Sequence, residues 1–205
     1  GYSVVQMDVR GTGASSGERP IEWSPDEIAD FGEVVEWIVS QSWSNGSVGA
    51  WGVSYEGNTA EYVAIPNHPA VKAVAPLYSD FDPYWTNAFS GGVFDEWFIR
   101  EWGNGNMALD ANDICASFGA ESEAECEQLR GISSGVKPVD ADPEGEQLAA
   151  IVAAREPYDL YAAAQTMTYR DDMLPGTEFT LRDISSYAYR EEIESSGAAM
   201  HVWVS

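Results

Sequence analysis

From Ile28 to Val39, apolar residues recur at intervals of three and four: Ile28, Phe31, Val34, Val35, Ile38 and Val39. That is the period of a helix with one face on a core. Ser24-Pro25-Asp26-Glu27 marks its start, with an N-cap serine, proline at the first helical position and glutamate at the third. The helix ends near Ser42, and Ser44-Asn45-Gly46 makes a turn. Continuous apolar runs lie on either side: Tyr2 to Val9 before it, Ser47 to Trp51 and Val71 to Leu77 after it. A second helix fits about 56–65, stopped by Pro66, His68 and Pro69. Strand, helix, strand, helix, strand at this spacing predicts an α/β fold with a mostly parallel sheet covered on both faces.

The pattern changes after about residue 80. Asp80 to Trp85 and Gly91 to Ile99 are aromatic-rich, and acidic, alanine-rich helical stretches follow at about 107–130 and 143–165, joined by the loop Gly135 to Asp140. Regular β spacing is missing through about 180. One further helix is expected over 185–196 and a last strand over 199–205. The predicted organisation is a core at 1–80, a helical cap insertion at 81–182 and a return to the core at 183–205. A chain that starts and stops inside core strands reads as an internal piece of a longer protein.

Between the apolar run 47–51 and the second helix stands Gly52-Val53-Ser54-Tyr55-Glu56-Gly57. A serine between strand and helix, flanked by glycines, reads as a nucleophile elbow. The turn lifts the Ser54 hydroxyl off the sheet and aims the Tyr55 backbone N–H at the place where an oxyanion would form. The glycines at 11, 13 and 17 suggest a phosphate-binding loop, but the Lys-Ser/Thr ending is missing and the next helix begins too late.

Charge narrows the partners. Thirty-four acids against ten bases give a net charge of −24, which argues against nucleic acid and anionic membrane surfaces as partners. No run of eighteen apolar residues exists, so no membrane span is expected. The acidity fits either an ordinary solvated surface or adaptation to high salt. Cys115 and Cys126, eleven apart, are either a disulfide suited to an exported protein or two packed thiols. A metal site is poorly supported, since no histidine lies near them.

Several segments together resemble the CocE/NonD family of serine hydrolases, which includes cocaine esterase-like enzymes, α-amino-acid ester hydrolases and X-Pro dipeptidyl-peptidases. They are Asp8-Val9-Arg10-Gly11-Thr12-Gly13, Glu36-Trp37-Ile38, Gln41 to Gly49, the elbow itself, Asn67 to Ala73 and Gly91-Gly92-Val93-Phe94. The elbow matches the family's variant Gly-x-Ser-Tyr-x-Gly and departs from the general Gly-x-Ser-x-Gly at Glu56. The resemblance implies an α/β-hydrolase core with a helical cap, followed by a jelly-roll domain. It also implies an acyl-enzyme on Ser54, an oxyanion-hole tyrosine upstream of Gly1, and a catalytic Asp and His downstream of Ser205. No cofactor or metal is implied. The expected substrate is a small ester or amide, or a short peptide, and the chain alone is expected to be inactive. X-Pro dipeptidyl-peptidase activity is the alternative, and a non-catalytic hydrolase-like binding protein the alternative of another class.

The chain's own histidines fit poorly as bases. His68 follows Ser54 by only fourteen residues, between two prolines, and His201 falls in an expected core strand. Asp82, Tyr84 and Trp85 follow a sheet strand, where α/β pockets form, and are candidate pocket residues. Phe89, Phe94, Trp97, Phe98 and Trp102 suit either an apolar wall over the site or plain packing. The carboxylate with which α-amino-acid ester hydrolases hold an ammonium group falls at Ala88 by ungapped count, with Asp82 or Asp95 reachable through a small gap. Glu56 suits the start of a helix electrostatically.

Overall fold

In the computed structural model, which describes residues 1–203, the chain divides into two compact units. One comprises Gly1–Ser3, Glu22–Phe94 and the chain from Met167 onward; the other comprises Val4–Ile21 and Asp95–Thr166.

The first unit is built on the predicted alternation. Helix α1 (Pro25–Ser40) begins at the Ser24 cap, whose hydroxyl accepts the Glu27 N–H. The Glu27 carboxylate reaches back to the N–H of Trp23 rather than to that of Ser24, so the capping exchange is shifted one residue outward. Strand β1 (Val48–Val53), helix α2 (Tyr55–Tyr62) and strand β2 (Val71–Leu77) follow as a parallel βαβ unit. A short strand β3 (Ala199–Met200) pairs in parallel with β2, giving the order β1-β2-β3, and an isolated bridge joins Leu77 to Trp203. The expected last strand is thus brief, and its final positions, Val204 and Ser205, lie outside the described residues. The apolar stripe of α1 meets the sheet through Val35 and Val39, which pack with Ala64, Val71 and Val74.

Residues 2–9, expected as the first strand, carry no strand pairing. Tyr2 and Val4 are 100% and 82% exposed. An apolar run becomes a strand only where a neighbouring edge takes up its N–H and C=O groups, and none of the described strands does so. Asp8 is held by the loop that follows: its carboxylate accepts the Ala14 N–H and its carbonyl the Ser15 hydroxyl.

The second unit is helical. The expected helical stretch at 107–130 is divided among α3 (Glu96–Asp110), α4 (Ile114–Ser117) and α5 (Glu123–Ile132). Asp113 and Ser122 each accept backbone N–H groups of a new first turn, so local capping breaks the stretch. The stretch 143–165 becomes α6 (Glu146–Ala153) and α7 (Leu160–Ala164), with Pro157 between them. Cys115 and Cys126 form a disulfide, their Cα atoms 5.0 Å apart.

Of the helix expected at 185–196, only α8 (Arg190–Ser195) forms. Ser185 and Ser186 spend their hydroxyls on the Arg182 carbonyl and the Glu61 carboxylate. The local bond of Ser185 to backbone competes with helix formation, and that of Ser186 ties the segment to α2.

Candidate active site

Ser54 sits between the last residue of β1 and the first of α2 with φ 60° and ψ −120°. This is a backbone region that costs a non-glycine residue about 1–3 kcal/mol. Surrounding contacts hold it there. Its N–H donates to the Leu77 carbonyl at 2.8 Å, while its own carbonyl accepts from Gly57 and Asn58. The side chain is exposed and makes no capping bond to the helix.

The two glycines of the motif are steric requirements. A Cβ at Gly52 would lie 2.2 Å from the Glu56 carbonyl oxygen, and one at Gly57 would lie 2.6 Å from that of Leu77. Glu56, where the general motif has its glycine, is exposed. Position 56 therefore carries a side chain, and the residue that admits none is Gly57, in keeping with the spacing Gly-x-Ser-Tyr-x-Gly.

Tyr55 opens α2, so its backbone N–H belongs to the first turn, beside Ser54. Its ring turns inward and stacks on Trp23 at 4.9 Å. The phenol oxygen lies 3.5 Å from the carboxylate of Glu27, a fully buried residue. Trp23 in turn donates its indole N–H to Thr59 of α2. The pattern of α1 marked Glu27 as a capping residue but gave no sign that it also faces the elbow.

Neither histidine is placed as a base for Ser54. His68 precedes β2 whereas Ser54 follows β1, so in a parallel pair the two stand at opposite ends of the strands. The His68 Nδ1 accepts the Ala70 N–H at 3.1 Å, and its Nε2 meets Glu36 at 2.9 Å. With Nδ1 so occupied, Nε2 carries the proton. His201 lies beside mid-strand, its N–H bonded to the Val74 carbonyl.

The candidate pocket residues prove to be engaged differently from one another. Asp82 is buried and its carboxylate pairs with Arg170 at 2.6 Å. The Tyr84 hydroxyl donates to the Thr168 carbonyl and its ring stacks on Phe89. Trp85 remains 55% exposed, on a single π-helical turn, Tyr84–Ala88. Phe81, beside them, is 56% exposed. A residue that the sequence did not single out links this loop to the elbow: Asn58, fully buried, donates to the Asp80 carbonyl at 2.7 Å and accepts the Asp80 N–H at 2.9 Å. No periodicity reveals it, because a polar residue on an inward helix face reads as a flaw in the pattern.

A cavity of about 430 Å³ lies in the second unit, lined by Asp8, Leu109, Asn112, Ile114, Val136 and Lys137 among others. It contains none of the elbow residues. Among the described residues, no three His, Cys, Asp or Glu side chains converge as a metal site, and no helix is long and apolar enough to cross a membrane.

Comparison with known proteins gives these features a family. A protein named as a serine esterase in Mycobacterium bovis is 37% identical over 220 residues, covering 98% of this chain and 34% of its own length. The cocaine esterase of a Rhodococcus species is 41% identical over 86 residues, 41% of this chain and 14% of the enzyme. Among solved structures, a CocE/NonD family hydrolase from Staphylococcus aureus shares 36% identity over 58% of this chain and 21% of its own, with a TM-score of 0.44. The chain spans about a third of the length of that Mycobacterium relative. Residues 1–130, which include the elbow, match the family of X-Pro dipeptidyl-peptidases termed S15, and the chain belongs to that family of hydrolases.

Proposed function

We propose that the whole protein is a serine hydrolase cleaving carboxylic esters or amides through an acyl-enzyme on Ser54. The observation that carries this reading is the backbone at Ser54. An exposed serine held at φ 60°, with glycines forced at 52 and 57, is the geometry a nucleophile elbow demands. The Ser54 hydroxyl attacks the substrate carbonyl, and the Tyr55 N–H donates to the developing oxyanion. Each such donor contributes about 3–4 kcal/mol in enzymes where one has been removed.

The base and its orienting acid come from outside this chain in this reading, since His68 is committed to Glu36 and stands at the far end of the strands. The 205-residue chain alone is then inactive. Ester over peptide chemistry is favoured by the relative matched over nearly the whole chain, which is named an esterase. X-Pro dipeptide release is the second reading, favoured by the family match. Small esters, amides or short peptides are the substrates in either case, with no cofactor.

The test is labelling of the whole protein with a fluorophosphonate probe, followed by peptide mapping. Modification of Ser54, absent in Ser54→Ala, supports the reading. An unlabelled Ser54 in folded protein overturns it and leaves a non-catalytic, hydrolase-like binding protein. Comparing proline-dipeptide anilides with aryl esters separates the two enzymatic readings.

A further inference from the structure

Three of the chain's ten cationic side chains converge on one ring. The guanidinium carbons of Arg170, Arg190 and Arg182 lie 4.9, 5.5 and 5.8 Å from the centroid of Tyr187. In a chain of net charge −24, such crowding is a cost that cation–π attraction, about 0.5–1 kcal/mol per exposed pair, offsets only in part. The three are not equally neutralised. Arg170 is held by buried Asp82 at 2.6 Å. Arg182, half exposed, has only the exposed Asp171 at 3.9 Å, beyond hydrogen-bond length. Arg190 is exposed and has no ion pair among the described residues. It is also the first residue of α8, the end of a helix that disfavours a cation.

The cluster stands at the nucleophile's end of the sheet. Ser54 follows β1, and the loop bearing Phe81 follows the adjacent parallel strand β2. Asn58, one helical turn after Ser54, grips the backbone of Asp80. The Tyr187 N–H donates to the Phe81 carbonyl at 3.1 Å, and the two rings meet edge to face at 5.8 Å. Exposed Phe81 thus offers apolar surface beside two guanidinium groups that lack a close carboxylate.

We propose that Arg182 and Arg190, set around Tyr187, form a subsite for a carboxylate on the substrate, so that the preferred ester or amide carries an anionic acyl chain. Arg170, locked by Asp82, positions the ring and takes no part in binding. Asp183 follows Arg182 and Glu191 and Glu192 follow Arg190 in sequence, while Asp171 stands 3.9 Å from Arg182 in space; this surrounding negative charge favours a singly charged carboxylate over a dianionic phosphate. The substrate assignment rests on the hydrolase reading of Ser54; the binding of a carboxylate does not.

Two measurements keep these apart. In the first, the chain is titrated with monomethyl glutarate, neutral dimethyl glutarate and inorganic phosphate while its arginine Nε–Hε resonances are followed. Saturable shifts at Arg182 and Arg190 with the monoanion alone are expected, together with a saturable shift of the Tyr187 ring resonances that is lost in the double variant Arg182→Gln/Arg190→Gln. Equal responses in wild type and variant, no saturable response, or tighter binding of phosphate would overturn the subsite. In the second, the whole protein is offered an aryl glutarate monoester and an aryl butyrate. The double variant should lose about tenfold in kcat/KM on the first and little on the second, with Ser54 labelling unchanged. An unchanged preference overturns the substrate assignment. Failure of labelling and of both esters overturns the hydrolase reading, and the titration still decides the subsite.

Discussion

Asn58 and Asp80 are joined by two hydrogen bonds running in opposite directions, amide to carbonyl at 2.7 Å and backbone N–H to amide oxygen at 2.9 Å. The pair ties the first turn of α2 to the loop leaving β2. Asp80 extends the link by accepting from Asn87 in the π-helical turn. One buried side chain thus links the loop directly to the helix that begins at Ser54, beside the bonds that tie Phe81, Asp82 and Tyr84 to the chain from Thr168 to Tyr187.

Asn58→Leu should accordingly destabilise the protein by about 1–3 kcal/mol, because two backbone groups of partly buried Asp80 lose their partner. Asn58→Asp keeps the acceptor for the Asp80 N–H but sets a carboxylate oxygen against the Asp80 carbonyl, and it should recover only part of that loss. Urea unfolding of the three proteins checks the ranking. In the whole protein, Asn58→Asp should also raise KM more than it lowers kcat, since it shifts the loop and leaves the elbow intact.

The elbow's spacing makes a sharper contrast. Gly57→Ala places a methyl group 2.6 Å from the Leu77 carbonyl oxygen, against backbone that cannot yield without disturbing β2. The expected cost is about 2–4 kcal/mol, or loss of soluble protein. Glu56→Ala removes an exposed carboxylate from a helix start and should cost under about 1 kcal/mol. Thermal melts of both variants test whether residue 57, rather than residue 56, is the close-approach position. Equal effects would contradict the geometry described.

The elbow and the βαβ unit around it were legible because periodicity, capping and glycine spacing are local signals. Ser24, Pro25 and the apolar stripe to Val39 mark α1 in the chain itself, and β2 runs from Val71 to Leu77 as its composition predicts. Tyr2 to Val9 has the same apolar character, yet no strand forms there, since strand formation depends on a partner edge that composition does not encode. Asp82 shows the corresponding limit at the site. Its position after a strand was readable, but its partner, Arg170, is eighty-eight residues away in sequence. No local motif links Arg182 to Arg190, and only the fold gathers them around Tyr187.

The disulfide should matter to the second unit in proportion to the loop it closes. Cys115 and Cys126 are eleven residues apart, and loop-closure entropy assigns such a link about 2–3 kcal/mol. The double variant Cys115→Ser/Cys126→Ser should unfold at correspondingly lower urea than the wild type. Addition of reductant should bring the wild type to the variant's midpoint and leave the variant unmoved. A variant as stable as the oxidised protein would show that the capped helices α4 and α5 hold the segment without the bond.

Glu61 supplies a pH signature specific to α2. Burial pushes its carboxyl above the ordinary 4.5, and the hydrogen bond from the Ser186 hydroxyl, at 2.8 Å, offsets part of that rise. A carboxyl whose pKa is raised on folding binds protons more tightly in the folded state. Its contribution is therefore complete below about pH 4.5 and is lost as pH rises through the raised folded value. Glu61→Gln keeps an oxygen for Ser186 and removes the charge. Its unfolding midpoint should match that of the wild type below pH 4.5 and exceed it increasingly above, levelling once the wild-type carboxyl is fully ionised. Differential scanning of the two proteins from pH 4 to pH 8 reads this directly. A constant difference across that range would mean that Glu61 is ionised throughout and that Ser186, rather than burial, sets its state.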